Sequence, residues 1–370
     1  MRLPPPEVMA TWPKPNYVNP ETRGSTLIVV EILTLFLAVT CVALRLYVRI
    51  VMMRKTDWDD WLMVGASIFG AGITACVILA VTRYGWNIHV WDLTPMKMVS
   101  GRQVSLAAQA IFVGATCLAK TSILLSYLRL APAKSLFRRL TIATIWFVIL
   151  NNIAFFVVLF TQCIPLSSYW NLGPNHADDC LSEGSALIAH ASFTVASDLL
   201  VWVLPLPALY QAKLPFSQRI ALIVLFSFGL VVVVAACLRT YWIHHVVNET
   251  YDVTWEGFQL WMWTAIEVHL GIICGCVPWL KSLFRFWRAK KTGTSVSAMS
   301  GAMSGASAGG TGRRTRSKSD IRPVGSATVC VEGAVFKMDT LGKPPVNKEA
   351  YLDLESCAAS HTTRDESNPG

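Results

Sequence analysis

Charge is what this sequence has least of. Lys, Arg, Asp and Glu together make up 15% of its 370 residues, against about 25% in soluble domains. Too little polar surface remains to cover a water-soluble fold of this size. The hydrophobic share, 53%, equally excludes a chain disordered throughout, because such chains are poor in apolar and aromatic residues. A cleavable leader is not evident: the first 25 residues are Pro-rich and contain no apolar core. The first apolar run is therefore expected to act as both signal and anchor. Cysteine is missing from those residues too, which excludes a disulfide-framed module there. Elsewhere the ten cysteines are spread thinly. Cys274 and Cys276 stand close, but C-x-C is not the paired spacing of a structural zinc site.

Motifs for catalysis are lacking as well. There is no Walker loop, no dinucleotide glycine fingerprint and no H-E-x-x-H. The Gly-x-Ser-x-Gly match at Gly305–Gly309 lies in low-complexity sequence with no strand before it, so it cannot form a nucleophile elbow. His89, His244 and His245 have no metal-ligand spacing. Neither an enzyme nor a metalloprotein is expected. The net charge of +9 invites a nucleic-acid reading, but the basic residues sit mostly at the ends of apolar runs and no binding motif accompanies them.

What is abundant is long apolar sequence. Seven runs, at about 26–48, 60–82, 103–128, 141–163, 186–210, 220–243 and 260–283, each reach the roughly 20 residues that cross a bilayer. Runs of that length in hydrocarbon are helices, since every backbone group must be satisfied internally. Alternating β-barrel patterning is absent, and seven spans do not divide into the inverted halves of many transporters. The fold class is an all-α membrane protein with a seven-helix bundle. Orientation follows from Lys and Arg in the connections: fifteen flank one side, including Arg45, Arg49, Arg129 and Arg139, and six the other. The richer side is expected to be cytoplasmic, with the N-terminus outside. Residues 1–25 then form a short outer segment, 26–288 the membrane domain and 289–370 a disordered cytoplasmic tail.

Two outside features agree with this orientation. The sequon Asn248-Glu249-Thr250 offers a glycosylation site, and Cys163 and Cys180 flank one outer loop, as a disulfide or as two free thiols. In the tail, Ala298-Met-Ser-Gly301 repeats at once as Ala302-Met-Ser-Gly305, a composition that cannot assemble a core. Ser317 and Ser319 each follow an Arg by three residues, which suits basic-directed kinases; a solvated basic stretch is the plainer reading. Lys281–Lys291 interleaves aromatics with cations and reads as a short interfacial helix on the anionic inner leaflet.

Particular residues resemble a known family. Arg45-Leu-Tyr-Val-Arg49 followed by Asp57-Trp58-Asp59-Asp60-Trp61-Leu62 is similar to the first cytoplasmic loop of the fungal rhodopsin-domain family. So are Tyr84-Gly85, His89 and Trp91-Asp92-Leu93 to its second outer segment, and Cys163-Ile-Pro165, Trp170 and Cys180-Leu181 to its fourth connection. Asp198 to Trp202, Leu204-Pro205-Leu206-Pro207, Phe228-Gly229-Leu230, Arg239, Glu267, Gly271 to Cys274 and Pro278 complete the likeness, over roughly residues 27–288. It departs at Asn87, where the family commonly has a second glycine. That family includes membrane proteins of satratoxin-type mycotoxin clusters and is related to appressorial receptor-like proteins of filamentous fungi. The resemblance implies a seven-helix membrane protein and fixes no biochemical activity.

Retinal chemistry needs a Lys near the middle of the last helix, and that helix has only Lys281, at its cytoplasmic end. No retinal or other cofactor is expected. Five ionisable side chains lie within the spans: Glu31, Lys120, Asp198, Arg239 and Glu267. Each would cost about 2.5–3.5 kcal/mol at a helix centre if left to lipid, so they are expected to face the bundle interior. Depth pairs Lys120 with Asp198, and Arg239 with Glu267 or Glu31. They form either structural polar contacts or an intramembrane ligand pocket, and Lys120 and Arg239 are long enough to snorkel. Pro205 and Pro207 are expected to kink the fifth span near Asp198. Arg49, Asp57, Asp59 and Asp60 either stabilise the start of the second span through its dipole or dock a cytoplasmic partner. The expected function is that of an orphan receptor-like protein, in the plasma membrane, sensing an unidentified small molecule and signalling to a cytoplasmic protein. The alternative is an accessory factor or carrier for a secondary-metabolite pathway. The lipid bilayer is the certain partner, and nucleic acid is not one.

Overall fold

The computed structural model describes residues 4–130, 135–171, 180–207, 216–291, 328–331 and 334–337. Among them are eight α-helices. A short one, α1 (Pro6–Thr11), precedes seven that are long and apolar enough to cross a membrane. These are α2 (Thr26–Tyr47), α3 (Trp58–Tyr84), α4 (Pro95–Leu130), α5 (Leu136–Thr161), α6 (Glu183–Val203), α7 (Phe216–Asn248) and α8 (Val253–Lys291). Together with the apolar composition they make the chain a multi-pass membrane protein.

Large side chains turned outward mark the lipid face. Phe36, Ile68, Trp146 and Leu150 are each at least 60% exposed, an arrangement water would not tolerate but hydrocarbon favours. Small residues line the inside instead. Ala38, Ala66, Ala115 and Ala119 are buried beside Met63 and Ile73, which lets α2, α3, α4 and α8 approach closely.

The helices outrun the apolar stretches that reveal them. α4 has 36 residues and α8 has 39, about 54 and 59 Å at ~1.5 Å per residue, against roughly 30 Å of hydrocarbon. Their extra turns carry Lys97, Arg102 and Glu256, which end an apolar run without ending a helix. For the same reason Lys281–Lys291 is not a separate interfacial helix: it continues α8 through Pro278, which lies inside the helix and removes one backbone hydrogen bond. Pro205 and Pro207 act differently from expectation. α6 stops at Val203, with the Leu204 N–H donating to the Leu200 carbonyl, so both prolines lie past its end and Asp198 lies within the helix before it.

Residues 301–370 form a second unit. Its described part is a hairpin in which β1 (Thr328–Val331) pairs antiparallel with β2 (Ala334–Lys337), Val329 opposite Phe336. β-Branched and aromatic residues in alternation suit that pairing, in a tail whose composition elsewhere gives no sign of it. Ser317, Ser319 and the Ala-Met-Ser-Gly repeat lie outside the described residues.

At the end away from most Lys and Arg, the chain before α2 straps across the α3–α4 connection. Asn16 N–H donates to Asp92 Oδ1 at 2.8 Å, Arg23 N–H donates to the Asn87 carbonyl at 3.0 Å, and Thr22 pairs with Ile88. Gly85 ends α3 at φ +72°, so the turn forms with one glycine and Asn87 in place of a second. A Cβ on Gly85 would sit 2.8 Å from Leu93 Cδ2 and 2.9 Å from Ile88 Cδ1. Gly85→Ala should therefore destabilise the protein by about 2 kcal/mol, from the left-handed backbone and the displaced side chains. A lowered melting midpoint in detergent micelles is the expected result; an unchanged one would mean the turn relaxes freely.

Candidate functional site

Three polar groupings occupy the bundle, one near each end and one between. At the basic end, where α2 continues as a π-helical turn over Val48–Met52, Arg45 and Arg49 meet the start of α3. Arg45 Nε donates to Asp60 Oδ1 at 2.9 Å and its Nη2 to Asp59 Oδ2 at 2.7 Å. Arg49 Nε donates to Asp60 Oδ2 at 2.7 Å and its Nη2 to Asp57 Oδ2 at 2.9 Å. From α4, Arg129 reaches Asp59 Oδ1 at 2.6 Å and Asp57 Oδ2 at 2.9 Å, and Ser126 Oγ donates to Asp59 Oδ2 at 3.1 Å. Helix α8 closes the lattice: Arg45 Nη1 donates to the Gly275 carbonyl at 2.9 Å, and the Arg49 guanidinium lies 4.3 Å from the centre of the Trp279 ring.

Arg45, Arg49, Asp59 and Asp60 are buried, and of the carboxylates only Asp57 is open to solvent. The acidic residues thus do more than stabilise a helix start, although Asp60 does accept from the Asp57 backbone N–H at 3.2 Å. Three of the four residues weighed as a docking surface face inward. Arg45 and Arg129 complete the group, and the signal for Arg45 was its spacing of four from Arg49, which puts both on one helical face.

Midway through the bundle the intramembrane charges pair. Lys120 Nζ lies 3.0 Å from Asp198 Oδ1 and donates to Ser197 Oγ at 2.8 Å. Arg239 Nε donates to Glu267 Oε2 at 2.6 Å, and its guanidinium lies 4.6 Å from the Phe112 ring centre. Glu31 stands apart from both, accepting from Thr74 Oγ1 at 2.7 Å. The five residues are therefore two ion pairs and a separate carboxylate, not one pocket lining.

The pocket lies nearer the other end. A cavity of about 560 Å³ opens among α4, α6, α7 and α8, and of the five intramembrane charges only Arg239 lines it. Charged and hydrogen-bonding groups near the span ends also line it. Arg102 Nε donates to the Tyr169 carbonyl at 2.8 Å, Arg102 Nη2 lies 3.3 Å from Glu183 Oε2, and Tyr169 Oη donates to Glu183 Oε1 at 2.7 Å. Burial, and then the Glu183 carboxylate, push the Tyr169 phenol well above its ordinary value, so it remains a donor. His190 lies deeper, its ring stacked on Phe155 at 3.7 Å. Cys163 and Cys180 are joined as a disulfide and line the same wall; Asn248 is exposed at the end of α7, also on the lining. Among the described residues no cluster of His, Cys, Asp and Glu could hold a metal. His89 instead sits between the rings of Trp91 and Trp255, at 4.4 and 3.8 Å, and bonds to Asp252; His245 bonds to Glu249 at 2.7 Å.

Seven crossing helices tied by buried ion pairs around a cavity make this a seven-helix integral membrane protein. The Fungal rhodopsin domain matches residues 44–286, more than half of the chain, and the protein belongs to that family. It is 24% identical over 273 residues to the Polyenoic acids biosynthesis gene cluster protein Ba17b of Metarhizium anisopliae, covering 70% of this chain and 73% of that one. It is 27% identical over 282 residues to Receptor GIN3 of Arthrobotrys oligospora, covering 74% and 66%. The SAT4 family membrane protein of Emericella nidulans is 24% identical over 220 residues, 58% of this chain; the alignment spans only 54% of that relative's length. No solved structure matches the chain.

Removing one member of a buried pair strands the other, at about 3–5 kcal/mol. Asp198→Asn and Lys120→Met should each lower folded yield in a size-exclusion assay, and the double variant should recover part of the loss. Strict additivity would show that the two do not interact. In the lattice, Asp59→Asn should destabilise more than Asp57→Asn, because Asp59 is fully buried and Asp57 is half exposed; equal melting midpoints would contradict that.

Proposed function

We propose that this is a receptor-like protein that takes a small molecule into the cavity at its outer end and signals at its basic, cytoplasmic end. The cavity carries this reading: about 560 Å³ lies within the ~300–1,000 Å³ usual for ligand sites, and it combines apolar walls with a few convergent polar groups. Helix α8 offers the route between the ends. It contributes Trp261 and Thr264 to the cavity, Glu267 to the Arg239 pair, and Gly275 and Trp279 to the lattice. A cytoplasmic protein reading the loops and tail would be the partner, and the plasma membrane the site of action. We propose further that it is not an enzyme and uses no retinal. Lys120, a buried lysine among the described residues, is held by Asp198 and is not on the cavity wall.

A second reading has its own support, since relatives are named for biosynthesis clusters of polyenoic acids, fugralins and wortmanamides. On that reading the chain serves a secondary-metabolite pathway as accessory factor or carrier. Deleting the gene separates the two. Loss of a metabolite from culture extracts supports the pathway role; an unchanged extract with an altered transcriptional response to conditioned medium supports the receptor.

Orientation is tested independently. With the N-terminus outside, endoglycosidase should reduce the apparent mass of the wild type but not of Asn248→Gln, and protease applied to intact cells should leave the tail uncut. A tail cleaved from outside would reverse every loop assignment.

A further inference from the structure

The wall of the cavity has an unusual balance. Its described residues include three charged side chains, Arg102, Glu183 and Arg239, and each is already engaged by protein. Arg102 and Glu183 lie 3.3 Å apart, and Glu183 also accepts from Tyr169. Arg239 is bonded to Glu267 at 2.6 Å and covered by the Phe112 ring. An ionised ligand entering here would shed its hydration and meet no uncompensated counter-charge.

One residue lining that wall keeps an unpartnered buried polar atom. His190 is 5% exposed, and its Nε2 has no hydrogen-bond partner among the described residues; no other lining residue has a buried, unpartnered side-chain nitrogen or oxygen there. Buried polar atoms in folded proteins almost always have a partner. The ring is fixed by stacking on Phe155 at 3.7 Å and by an edge contact to Phe112 at 6.3 Å. Elsewhere the wall is mainly aromatic and aliphatic, with Trp86 and Trp261 in edge contact at 5.8 Å, interspersed with uncharged polar side chains such as Ser105, Gln109 and Thr264.

We propose that the cavity selects a neutral, predominantly apolar molecule carrying a hydroxyl or carbonyl oxygen, and that His190 is the group that binds this oxygen. The proposal rests on the reading of the cavity as a ligand site. It makes His190 a specificity determinant, distinguishing an oxygenated molecule from a hydrocarbon, while the closed ion pairs exclude acids and amines of the same shape. Opening one pair should relax that exclusion.

The full chain in lipid nanodiscs can be tested by thermal shift with three probes of one shape: 2-naphthol, naphthalene and 2-naphthoate. Gly257→Leu controls for partitioning into lipid. Gly257 lines the cavity, and a Cβ there would meet only Trp86, at 3.9 Å, so a leucine side chain has room to extend into it. In the wild type, 2-naphthol should bind about tenfold more tightly than 2-naphthoate and about three- to tenfold more tightly than naphthalene. Gly257→Leu should abolish all three shifts. His190→Phe should erase the advantage of 2-naphthol over naphthalene, and His190→Gln, which keeps a hydrogen-bonding group, should retain part of it. Glu183→Gln, leaving Arg102 without its carboxylate, should raise the affinity for 2-naphthoate.

Equal binding of 2-naphthoate and 2-naphthol, both lost in Gly257→Leu, would overturn the neutral class while leaving the cavity a ligand site. An undiminished 2-naphthol advantage in a folded His190→Phe would remove His190 from the proposal. Shifts absent in the wild type, or as large in Gly257→Leu, would overturn the cavity reading itself and the proposal with it.

Discussion

In hydrocarbon a charged side chain has no water to turn to, and that constraint organises the whole bundle. Arg45, Arg49 and Arg129 satisfy it with Asp57, Asp59 and Asp60, using groups from α2, α3 and α4 at once. Buried pairs of this kind add little net stability, because forming them costs two desolvations. Their effect is on registry. A slip of one helix by a single turn would strand several charges together, so the arrangement in which all are paired excludes its neighbours. The Lys120–Asp198 and Arg239–Glu267 pairs impose the same condition on α6, α7 and α8.

The two ends of the molecule are held by different physics. At the basic end the contacts are ionic and deep. At the other end, beside the Arg102–Glu183 and Arg23–Glu256 pairs, rings and backbone contribute much of the contact: Trp12 against Trp91, His89 between two indoles, Arg23 over Trp255, and a strap of main-chain hydrogen bonds before α2. Such groups suit a membrane interface, where Trp is favoured for having an apolar body and a polar edge.

How much of this was legible in the sequence depends on what each feature requires. Seven spans need only length and apolarity, and all seven are read from composition. Helix ends need more: Lys97 and Glu256 end an apolar run while the backbone continues, so α4 and α8 are longer than their runs. Lys120 and Asp198 could be matched by depth alone. Arg239 could not, because Glu31 and Glu267 both lie toward the same end, and only helix adjacency selects Glu267. The cavity was the least legible feature. Arg102 and Glu183 look like ordinary span ends, and His190 like a histidine in an apolar run, until α4 and α6 bring them to one wall. A wall is a property of neighbours, which no single stretch of chain encodes.

The continuity of α8 has a mechanical consequence. Trp261 on the cavity wall and Trp279 over the arginines are eighteen residues apart on one uninterrupted helix, about 27 Å along its axis. Glu267, bonded to a neighbouring helix between them, is a fulcrum. A helix is stiff along its length, apart from the hydrogen bond lost at Pro278, so sideways pressure on the upper arm would reappear below the pivot with its direction reversed. The Arg49 guanidinium rests on the face of the lower arm's indole, where a small rotation changes its distance from the ring. On the proposed reading, whatever fills the cavity would push on the same rod that the arginines lean against.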